Sequence, residues 1–268
     1  MENIIEQINK EELIKAGVHF GHPTSKWNPK FKDFILTKKN GIHIINIDET
    51  VKYLDNALKN LLKIVKSDGN ILFVGTKAQA KDVVVETADS CGMFYIAERW
   101  IGGTLTNFST IKKSIKRLVL LEKDSSPIYN NLTKKERNQL HREKFKLADL
   151  HRGIKDMRHL PAAIVVVDAK YEKICIAEAK CLGIPTFGIV DTNTNPYIVD
   201  YPIPGNDDSI KSIRLILSFI ANQISDLLGS KIVESENIQA SSENNSDKVL
   251  ERVENKSKAA KESVQKES

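Results

Sequence analysis

The chain has 268 residues, of which 41% are hydrophobic and 28% charged, proportions that place it among ordinary soluble globular proteins. Its apolar runs are shorter than the roughly 20 residues of a membrane span, and its polar, acidic start argues against a secretory signal or a transit peptide. The net charge is +5, and the positive excess lies in residues 108–160, which hold 14 Lys and Arg but six Asp and Glu. This asymmetry favours a polyanion-binding element on a nearly neutral domain, and the alternative is a solvated helix face.

Residues 1–40 are predicted to form an N-terminal arm in which aromatic and basic side chains alternate. Its rings are interleaved with five lysines: His19, His22, Trp27, Phe31 and Phe34, with Lys26, Lys30, Lys32, Lys38 and Lys39. Aromatic rings among cations are typical of proteins that hold irregular RNA by base stacking and phosphate contact. Alternatively, the rings pack the arm onto the domain while the lysines stay in water. The two histidines are only a weak indication of metal, since no cysteine lies near them.

An α/β domain is predicted over residues 41–107 and 161–229. The apolar runs ILFVGT, MFYI, AAIVVVD and PTFGIVD predict buried strands that alternate with helical periods. An earlier piece, GIHIINIDETVKYLDNALKNLLKIV, predicts a short strand and a helix that Asp48 or Thr50 could cap. Continuous β-branched strands alternating with helices indicate a mostly parallel sheet that helices cover on both faces. The predicted fold class is therefore α/β, with three layers.

Residues 108–160 interrupt this alternation and are predicted to form an inserted antiparallel helical hairpin with basic outer faces. Apolar residues follow coiled-coil spacing on both sides of a turn: Ile111, Ile115 and Leu118, then Leu140, Leu147, Leu150, Ile154 and Met157. Thr133 and Glu136 fit a capping box for the second helix. Beyond the domain, residues 230–268 form a polar tail that we predict to be disordered, with at most a transient helix over 247–262.

The loop RWIGGTLTNF, residues 99–108, raises the question of catalysis, because adjacent glycines before a helix suit a phosphate-binding loop. It matches neither the dinucleotide nor the P-loop spacing, and neither does VGTKAQAKD. The sequence also lacks the nucleophile elbow, H-E-x-x-H and kinase motifs. We therefore predict no catalytic residues, and expect Thr104, Thr106 or Asn107 to cap the helix. The alternatives are a nucleotide or sugar-phosphate enzyme, or an adaptor whose hairpin binds protein.

Asp191, Asp207 and Asp208 are candidate ligands of a structural divalent cation. Asp191 ends a predicted strand, and IPGNDD places the other two before the next helix, at the same edge of the sheet. The simpler interpretation is that these carboxylates cap backbone N–H groups and complement the helix dipole. We favour the caps and predict no other cofactor.

Six blocks of sequence together resemble a known family. They are AGVHFGH…WNPKFKDFI…NGIHIIN, GTKAQAKD, CGMFY…RWIGGTLTNFSTI, GIKDM…LPAAIVVVD, GIPTFGIVDTNTNP and DYPIPGNDDSI, in that order. They are similar to the bacterial family of small-subunit ribosomal protein two, over about residues 10–228. Four positions in two segments depart from its usual pattern: Pro23 and Ser25 replace Gln and Arg in the arm, and Arg158-His159 replaces Gly-Gly beside the hairpin.

The resemblance implies a flavodoxin-like sandwich with a coiled-coil protrusion and a structural role in translation, without catalytic residues, small-molecule substrate or membrane contact. The expected place is cytoplasmic, on the small ribosomal subunit. The implied partners are small-subunit ribosomal RNA, neighbouring proteins, and ribosomal protein one, which captures messenger RNA. The implied RNA contacts lie in the arm, the glycine loop and the hairpin: Lys26, Trp27, Lys30, Lys32, Lys38, Lys39, Arg99, Trp100, Thr104, Asn107, Lys112, Lys113, Lys116 and Arg117.

Overall fold

The computed structural model describes residues 9–123 and 132–230 of the chain. The predicted disordered tail and its transient helix over 247–262 lie outside the described residues, as does the turn of the predicted helical hairpin. The chain divides into two units, residues 1–224 and 225–268, and the described part of the second is the helical end 225–230. Within the described residues, no helix is long and apolar enough to cross a membrane.

The N-terminal segment folds into a short helix and a small antiparallel sheet. Helix α1, Lys10–Lys15, precedes strands β1, Phe20–Pro23, β2, Ile35–Lys39, and β3, Ile42–Ile45, in the order β1-β3-β2. A 3₁₀ turn, Pro29–Phe34, enters β2. Asn40 and Gly41 join β2 to β3 with φ values of 51° and 76°, the left-handed conformations of a two-residue hairpin. The lysines of β2 therefore project from a hairpin of fixed register.

Helix α2, Ile47–Lys66, buries the predicted apolar stripe that includes Val51, Leu54, Leu58, Leu61 and Val65. Its cap differs from the prediction. The side chain of Asn46 accepts a hydrogen bond from the Asp48 N–H at 3.0 Å, whereas the Thr50 hydroxyl donates back to the Asn46 carbonyl at 3.2 Å. The predicted caps at Asp48 and Thr50 were wrong, because the helix begins before them.

The central sheet has five parallel strands in the order β5-β4-β6-β7-β8. They are β4, Ile71–Val74; β5, Phe94–Ile96; β6, Ala163–Val167; β7, Thr186–Val190; and β8, Tyr201–Pro204. Helices α3, Lys81–Ser90, and α6, Lys173–Cys181, and a last helix α7 over residues 210–230, complete the alternation. This order is flavodoxin-like, which confirms the predicted fold class, and its switch point lies between β4 and β6.

Helices α4, Phe108–Glu122, and α5, Lys134–His151, form the inserted hairpin. The α4 side of its seam is buried as predicted, whereas Leu140, Leu147 and Leu150 of α5 are half-buried. The capping box at Thr133 and Glu136 is confirmed, with backbone-to-side-chain bonds in both directions. After α5, Gly153 packs so tightly on β5 that an added Cβ would lie 2.3 Å from the Tyr95 carbonyl oxygen. The hairpin is thus fixed to the sheet edge.

Candidate nucleic-acid interface and cation site

The glycine loop, residues 99–108, carries the chain from β5 into α4 and wraps around one carboxylate. Glu178 of α6 is 9% exposed, and its Oε1 accepts hydrogen bonds from Trp100 Nε1 at 3.0 Å and the Gly103 N–H at 2.8 Å. Its Oε2 accepts from the N–H groups of Leu105, at 3.0 Å, and Thr106, at 3.2 Å, and from the Thr106 hydroxyl at 3.2 Å. The donors that a phosphate would need already hold this carboxylate.

The pKa of Glu178 reflects the same contacts. Burial by itself raises the pKa of a carboxyl group, but the hydrogen bonds from Trp100, Gly103, Leu105 and Thr106 outweigh it and lower the pKa below its ordinary value. Glu178 is therefore a stable internal anion, and the loop is a closed site.

Two of the predicted RNA contacts in this loop turn inward. Trp100 is 8% exposed and bonded to Glu178, and Thr104 is 2% exposed, with its hydroxyl donating to the Ile101 carbonyl at 2.6 Å. Their side chains stabilise the loop, and an RNA contact at either residue stays a prediction. Arg99 and Asn107 are exposed. Asn107 occupies the predicted N-cap position, but its Oδ1 accepts from the Thr110 hydroxyl at 2.8 Å and from no backbone N–H group.

In the arm, the aromatic residues fit the packing interpretation, and the lysines remain available for the RNA-binding interpretation. Phe31 and Phe34 are buried, and the half-buried ring of Trp27 lies 5.0 Å from that of His43, centroid to centroid. All five predicted lysines are exposed: Lys26, Lys30, Lys32, Lys38 and Lys39. The aromatic residues therefore hold the arm in place, and the lysines present its positive charge to solvent.

The predicted RNA-binding cations of α4 also fall into two groups, one exposed to solvent and one paired within the protein. Lys113 and Lys116 are exposed, and Lys112 lies with its Nζ 4.8 Å from the centroid of the Phe108 ring. Arg117, by contrast, makes a two-pronged ion pair with Glu143 of α5, at 2.9 and 3.2 Å. That pairing lowers the pKa of Glu143. Arg117 thus ties the two helices together, which makes it a structural residue of the hairpin.

The sequence predicted basic outer faces for both helices of the hairpin but named no RNA-contacting residue on α5. Lys134, Asn138, Arg142 and Phe145 are exposed and recur at helical spacing, so they share one side of the helix. Phe145 is 67% exposed and stands between two lysines. An aromatic residue outside the Leu140–Leu147–Leu150 seam was the signal that could have identified this face.

A charged cluster lies where the strands of the central sheet end. Lys77, after β4, places its Nζ 3.3 Å from Asp168, 2.7 Å from Asp207 and 2.6 Å from Asp208. The predicted caps were wrong at Asp207 and Asp208, because Asn206 is the residue that accepts from the N–H groups of Asp208, at 2.8 Å, and Ser209, at 3.2 Å. Asp207 and Asp208 therefore have no capping role, whereas Asp191 accepts from the Thr192 N–H and Asp168 from the N–H groups of Lys170 and Tyr171.

His22, from the N-terminal sheet, completes the cluster. Its Nδ1 lies 2.9 Å from Asp191 Oδ2, and its Nε2 lies 3.3 Å from Asp208 Oδ2. Two contacts with the segment after β7 hold it there: the His22 N–H donates to the Thr192 hydroxyl at 2.8 Å, and Gly21 lies so close that a Cβ would be 2.5 Å from Thr192 Cγ2. His22 lies close to Asp191 and Asp208 because of the tertiary fold, since these residues are far apart in sequence.

His22, Asp191, Asp207 and Asp208 each offer one ligand atom, and these atoms lie within 4.8 Å of one another. Among the described residues the buried Asp207 Oδ2 has no hydrogen-bond partner, whereas His22 Nδ1 and Asp191 Oδ2 contact each other at 2.9 Å. Unsatisfied buried oxygens are destabilising unless a cation or proton reaches them. In this site, unlike in the glycine loop, a buried carboxylate oxygen has no hydrogen-bond partner among the described residues; we call it the open site.

Shifted pKa values record the crowding of negative charge. Burial, with Asp168 and Asp191 nearby, raises the pKa of Asp207 to about 7. The contact with Asp191 raises the pKa of His22, although burial opposes it. For Asp208 burial alone would raise the pKa, but the Lys77 ammonium outweighs it and lowers the pKa. One nitrogen and three carboxylates form a ligand set that suits Zn²⁺.

Comparison with known proteins gives a consistent result. The sequence model of the family Ribosomal protein S2 matches residues 13–226. The chain is 52% identical over 221 residues to small ribosomal subunit protein uS2 of Chloroherpeton thalassium, covering 82% of this chain and 88% of that protein. Proteins of the same name are 47% identical in Cytophaga hutchinsonii, over 93% of this chain and 98% of the relative, and in Fusobacterium nucleatum, over 81% and 89%.

Proposed function

The chain belongs to the ribosomal protein S2 family, and from this premise we propose that it binds small-subunit ribosomal RNA through the exposed cations of its arm and hairpin. It is a structural constituent of the small ribosomal subunit, serves translation, and is not an enzyme. The observation that supports RNA binding most strongly is the exposure of the predicted cations: the five lysines of the arm, with Arg99, Lys113 and Lys116, face solvent, while Phe31, Phe34 and Trp100 are buried.

The binding mechanism is phosphate neutralisation from two separate surfaces. Exposed lysines of the β2–β3 hairpin and of α4 replace condensed counterions on the RNA backbone, which makes affinity steeply dependent on salt. On α5, Lys134 and Arg142 lie on the same face as Phe145, whose exposed ring can stack on an unpaired base. The helical hairpin extends this charge beyond the compact sheet, so that one protein contacts separate RNA segments.

Charge reversal with a matched control tests the proposal. Lys112, Lys113 and Lys116 are changed together to Glu, and the control changes Lys63, Lys180 and Lys211, exposed lysines on other helices. Binding to purified small-subunit RNA is measured over a salt series. We expect the hairpin variant to lose about a hundredfold in affinity and to flatten the salt dependence by about one slope unit per lost contact. Equal losses in the two variants would contradict a specific role of the hairpin.

The enzyme alternative loses its best candidate site in the glycine loop, because Glu178 occupies the donors that a substrate phosphate would use. A nucleotide or sugar-phosphate enzyme would have to use the charged cluster instead. Binding of a nucleotide that Asp191→Ala abolishes would support that alternative.

For ribosomal protein one we propose a docking surface on the N-terminal segment, beside the lysines of β2. Exposed Ile14 and Leu36 flank a groove of about 310 Å³ between α1 and the N-terminal sheet. Contiguous exposed apolar side chains are typical of protein–protein contact surfaces. Leu36 is 65% exposed, so replacing it should leave the fold intact.

Leu36→Glu tests this surface. The control is Leu182→Glu, because Leu182 is an exposed leucine outside the N-terminal segment. We expect Leu36→Glu to weaken binding of purified ribosomal protein one at least about tenfold while RNA affinity stays unchanged. Wild-type affinity of the Leu36→Glu variant for ribosomal protein one would refute the placement.

We also propose that His22, Asp191, Asp207 and Asp208 bind a divalent cation. The buried Asp207 Oδ2, which has no hydrogen-bond partner among the described residues, supports it, as does the mixed nitrogen and oxygen chemistry of the four side chains. Lys77 occupies the Oδ1 atoms of Asp207 and Asp208, which leaves the Oδ2 atoms for the ion. A bound cation would supply structural cross-linking of the N-terminal sheet to the central domain.

A further inference from the structure

The glycine loop has the donor pattern of an anion-binding site. Three backbone N–H groups, an indole N–H and a hydroxyl converge on a pair of oxygen atoms. Successive N–H groups in a turn containing a left-handed residue form a concave cradle for an anion. Gly103 supplies that residue, with φ of 89°. The bound anion in this chain is a carboxylate of its own, that of Glu178.

The bonded loop leads directly into the first helix of the hairpin. Thr106 lies two residues before α4, and the Asn107 N–H at the helix start donates to the Gly103 carbonyl at 2.8 Å. Glu178 belongs to α6, which flanks the central sheet. Its carboxylate therefore links the loop before α4 to the α/β domain through directional hydrogen bonds, which fix how that loop is oriented.

We propose that Glu178 is a positioning residue for the RNA-binding hairpin, acting as an internal anion that holds residues 100–106 and so sets the direction in which α4 leaves the sheet. The proposal rests on the proposed function of the hairpin only for its consequence in RNA binding. The structural part, an anion-dependent hairpin orientation, stands by itself.

The chemistry at this position is specific. Glutamine has nearly the same shape, but its NH₂ group would face N–H donors in place of one carboxylate oxygen. Alanine would empty the cradle and leave its donors in place. A small soluble carboxylate such as formate could then occupy the emptied cradle, whereas in Glu178→Gln the side chain still fills it. Rescue by formate thus distinguishes loss of an anion from loss of packing.

The experiment measures hairpin orientation in the full-length protein without RNA. Spin labels are attached at Leu120→Cys on α4 and Lys211→Cys on α7, both exposed, in a Cys181→Ser background; Cys91 and Cys175 are buried. Distance distributions are recorded for wild type, Glu178→Ala and Glu178→Gln, with formate or with chloride at matched ionic strength.

We expect one narrow distance in the wild type and a broad distribution in both variants. Formate should restore the narrow distance in Glu178→Ala but not in Glu178→Gln, and chloride should restore neither. A narrow wild-type distance in Glu178→Ala without formate, or a broad one that formate does not narrow, would overturn the proposal. If Glu178→Ala fails to fold, Glu178→Gln is compared with wild type. The same narrow distance distribution in Glu178→Gln as in wild type would overturn the proposal, and a broader distribution in Glu178→Gln would support it.

RNA affinity is measured on the same samples. We expect Glu178→Ala to bind RNA about tenfold more weakly and to recover with formate, because a pre-oriented hairpin binds with less loss of freedom. Restored distances without any change in RNA affinity would count against the RNA-binding function of the hairpin and leave the positioning role intact.

Discussion

The glycine loop and the aspartate cluster are two carboxylate sites that the same fold treats in opposite ways. Glu178 is surrounded by neutral donors that satisfy both of its oxygens, and its pKa is lowered. Asp207 is buried near Asp168 and Asp191, and one of its oxygens has no hydrogen-bond partner among the described residues. Its pKa is raised to about 7 although Lys77 lies 2.7 Å from its other oxygen.

The difference teaches that burial alone does not decide the state of a carboxylate. Dipoles fixed by the backbone favour the charged form of Glu178 in the first site, whereas burial and neighbouring carboxylates disfavour the charged form of Asp207 in the second. The sequence suggests the reverse, since glycine pairs are typical of ligand loops and aspartates before helices are typical of caps.

The largest expected effect is at the closed site. Glu178→Gln should lower the free energy of unfolding by about 3 kcal/mol, because it leaves buried donors facing a donor. Urea denaturation at neutral pH measures it. Since the pKa of Glu178 is lowered in the folded state, its contribution is present above the ordinary value of 4.5 and is lost as the pH falls through the folded-state pKa. A difference between the two proteins that does not shrink at low pH would contradict this.

The next effect is cation binding at the open site. Zn²⁺ at a hundred times its dissociation constant should stabilise the native protein by about 2.7 kcal/mol, reversibly with EDTA. His22→Ala should abolish the stabilisation, while the control His19→Ala, which removes a neighbouring half-buried imidazole, should retain it. Thermal unfolding with and without Zn²⁺ is the measurement, and equal shifts in the two variants would exclude the site.

A smaller effect separates two adjacent aspartates. Without metal at pH 8, Asp207→Asn should stabilise the protein by on the order of 1 kcal/mol, and Asp208→Asn should destabilise it slightly. The native state disfavours the charged form of Asp207, so stability falls as pH rises between 3.8 and about 7, and this fall should vanish in Asp207→Asn. Asp208 has the opposite shift. Destabilisation of equal size in both variants would show that the folded protein stabilises the charged form of Asp207, as it does that of Glu178, and would contradict the raised pKa.

The smallest expected effect on stability is at the RNA-binding surface. Lys113→Glu should change the free energy of unfolding by less than about 0.5 kcal/mol, because the side chain is exposed on a helix. Arg117→Glu should destabilise the hairpin, since it places two carboxylates together at Glu143. Circular dichroism melts of the two variants measure the contrast, and similar losses would show that Lys113 is structural too.

Local patterns in the sequence predict most of the fold. The parallel sheet follows from continuous β-branched runs, and the capping box at Thr133 and Glu136 from its spacing. Strand β8 was not predicted, because it contains Pro202 and Pro204, and only its edge position makes two prolines tolerable. The α2 cap at Asn46 was missed although the residue type was favourable.

The candidate sites were less predictable because they depend on contacts between distant residues. Glu178 lies in the middle of a helix, and no local pattern links it to a loop 75 residues earlier. His22 reaches Asp191 and Asp208 only through the seating of β1 beside the segment after β7. The exposed lysines were predictable, since charge on a helix face stays in water whatever the tertiary contacts.

Incorporation into ribosomes tests the central claim most directly. Tagged wild type and the Lys112, Lys113 and Lys116 to Glu variant are expressed in the same cells, and their ratio is measured by mass spectrometry in whole lysate and in gradient-purified small subunits. We expect the variant to be depleted at least about tenfold in subunits relative to lysate, because each lost phosphate contact weakens binding. The same ratio in both fractions would contradict RNA binding through the hairpin.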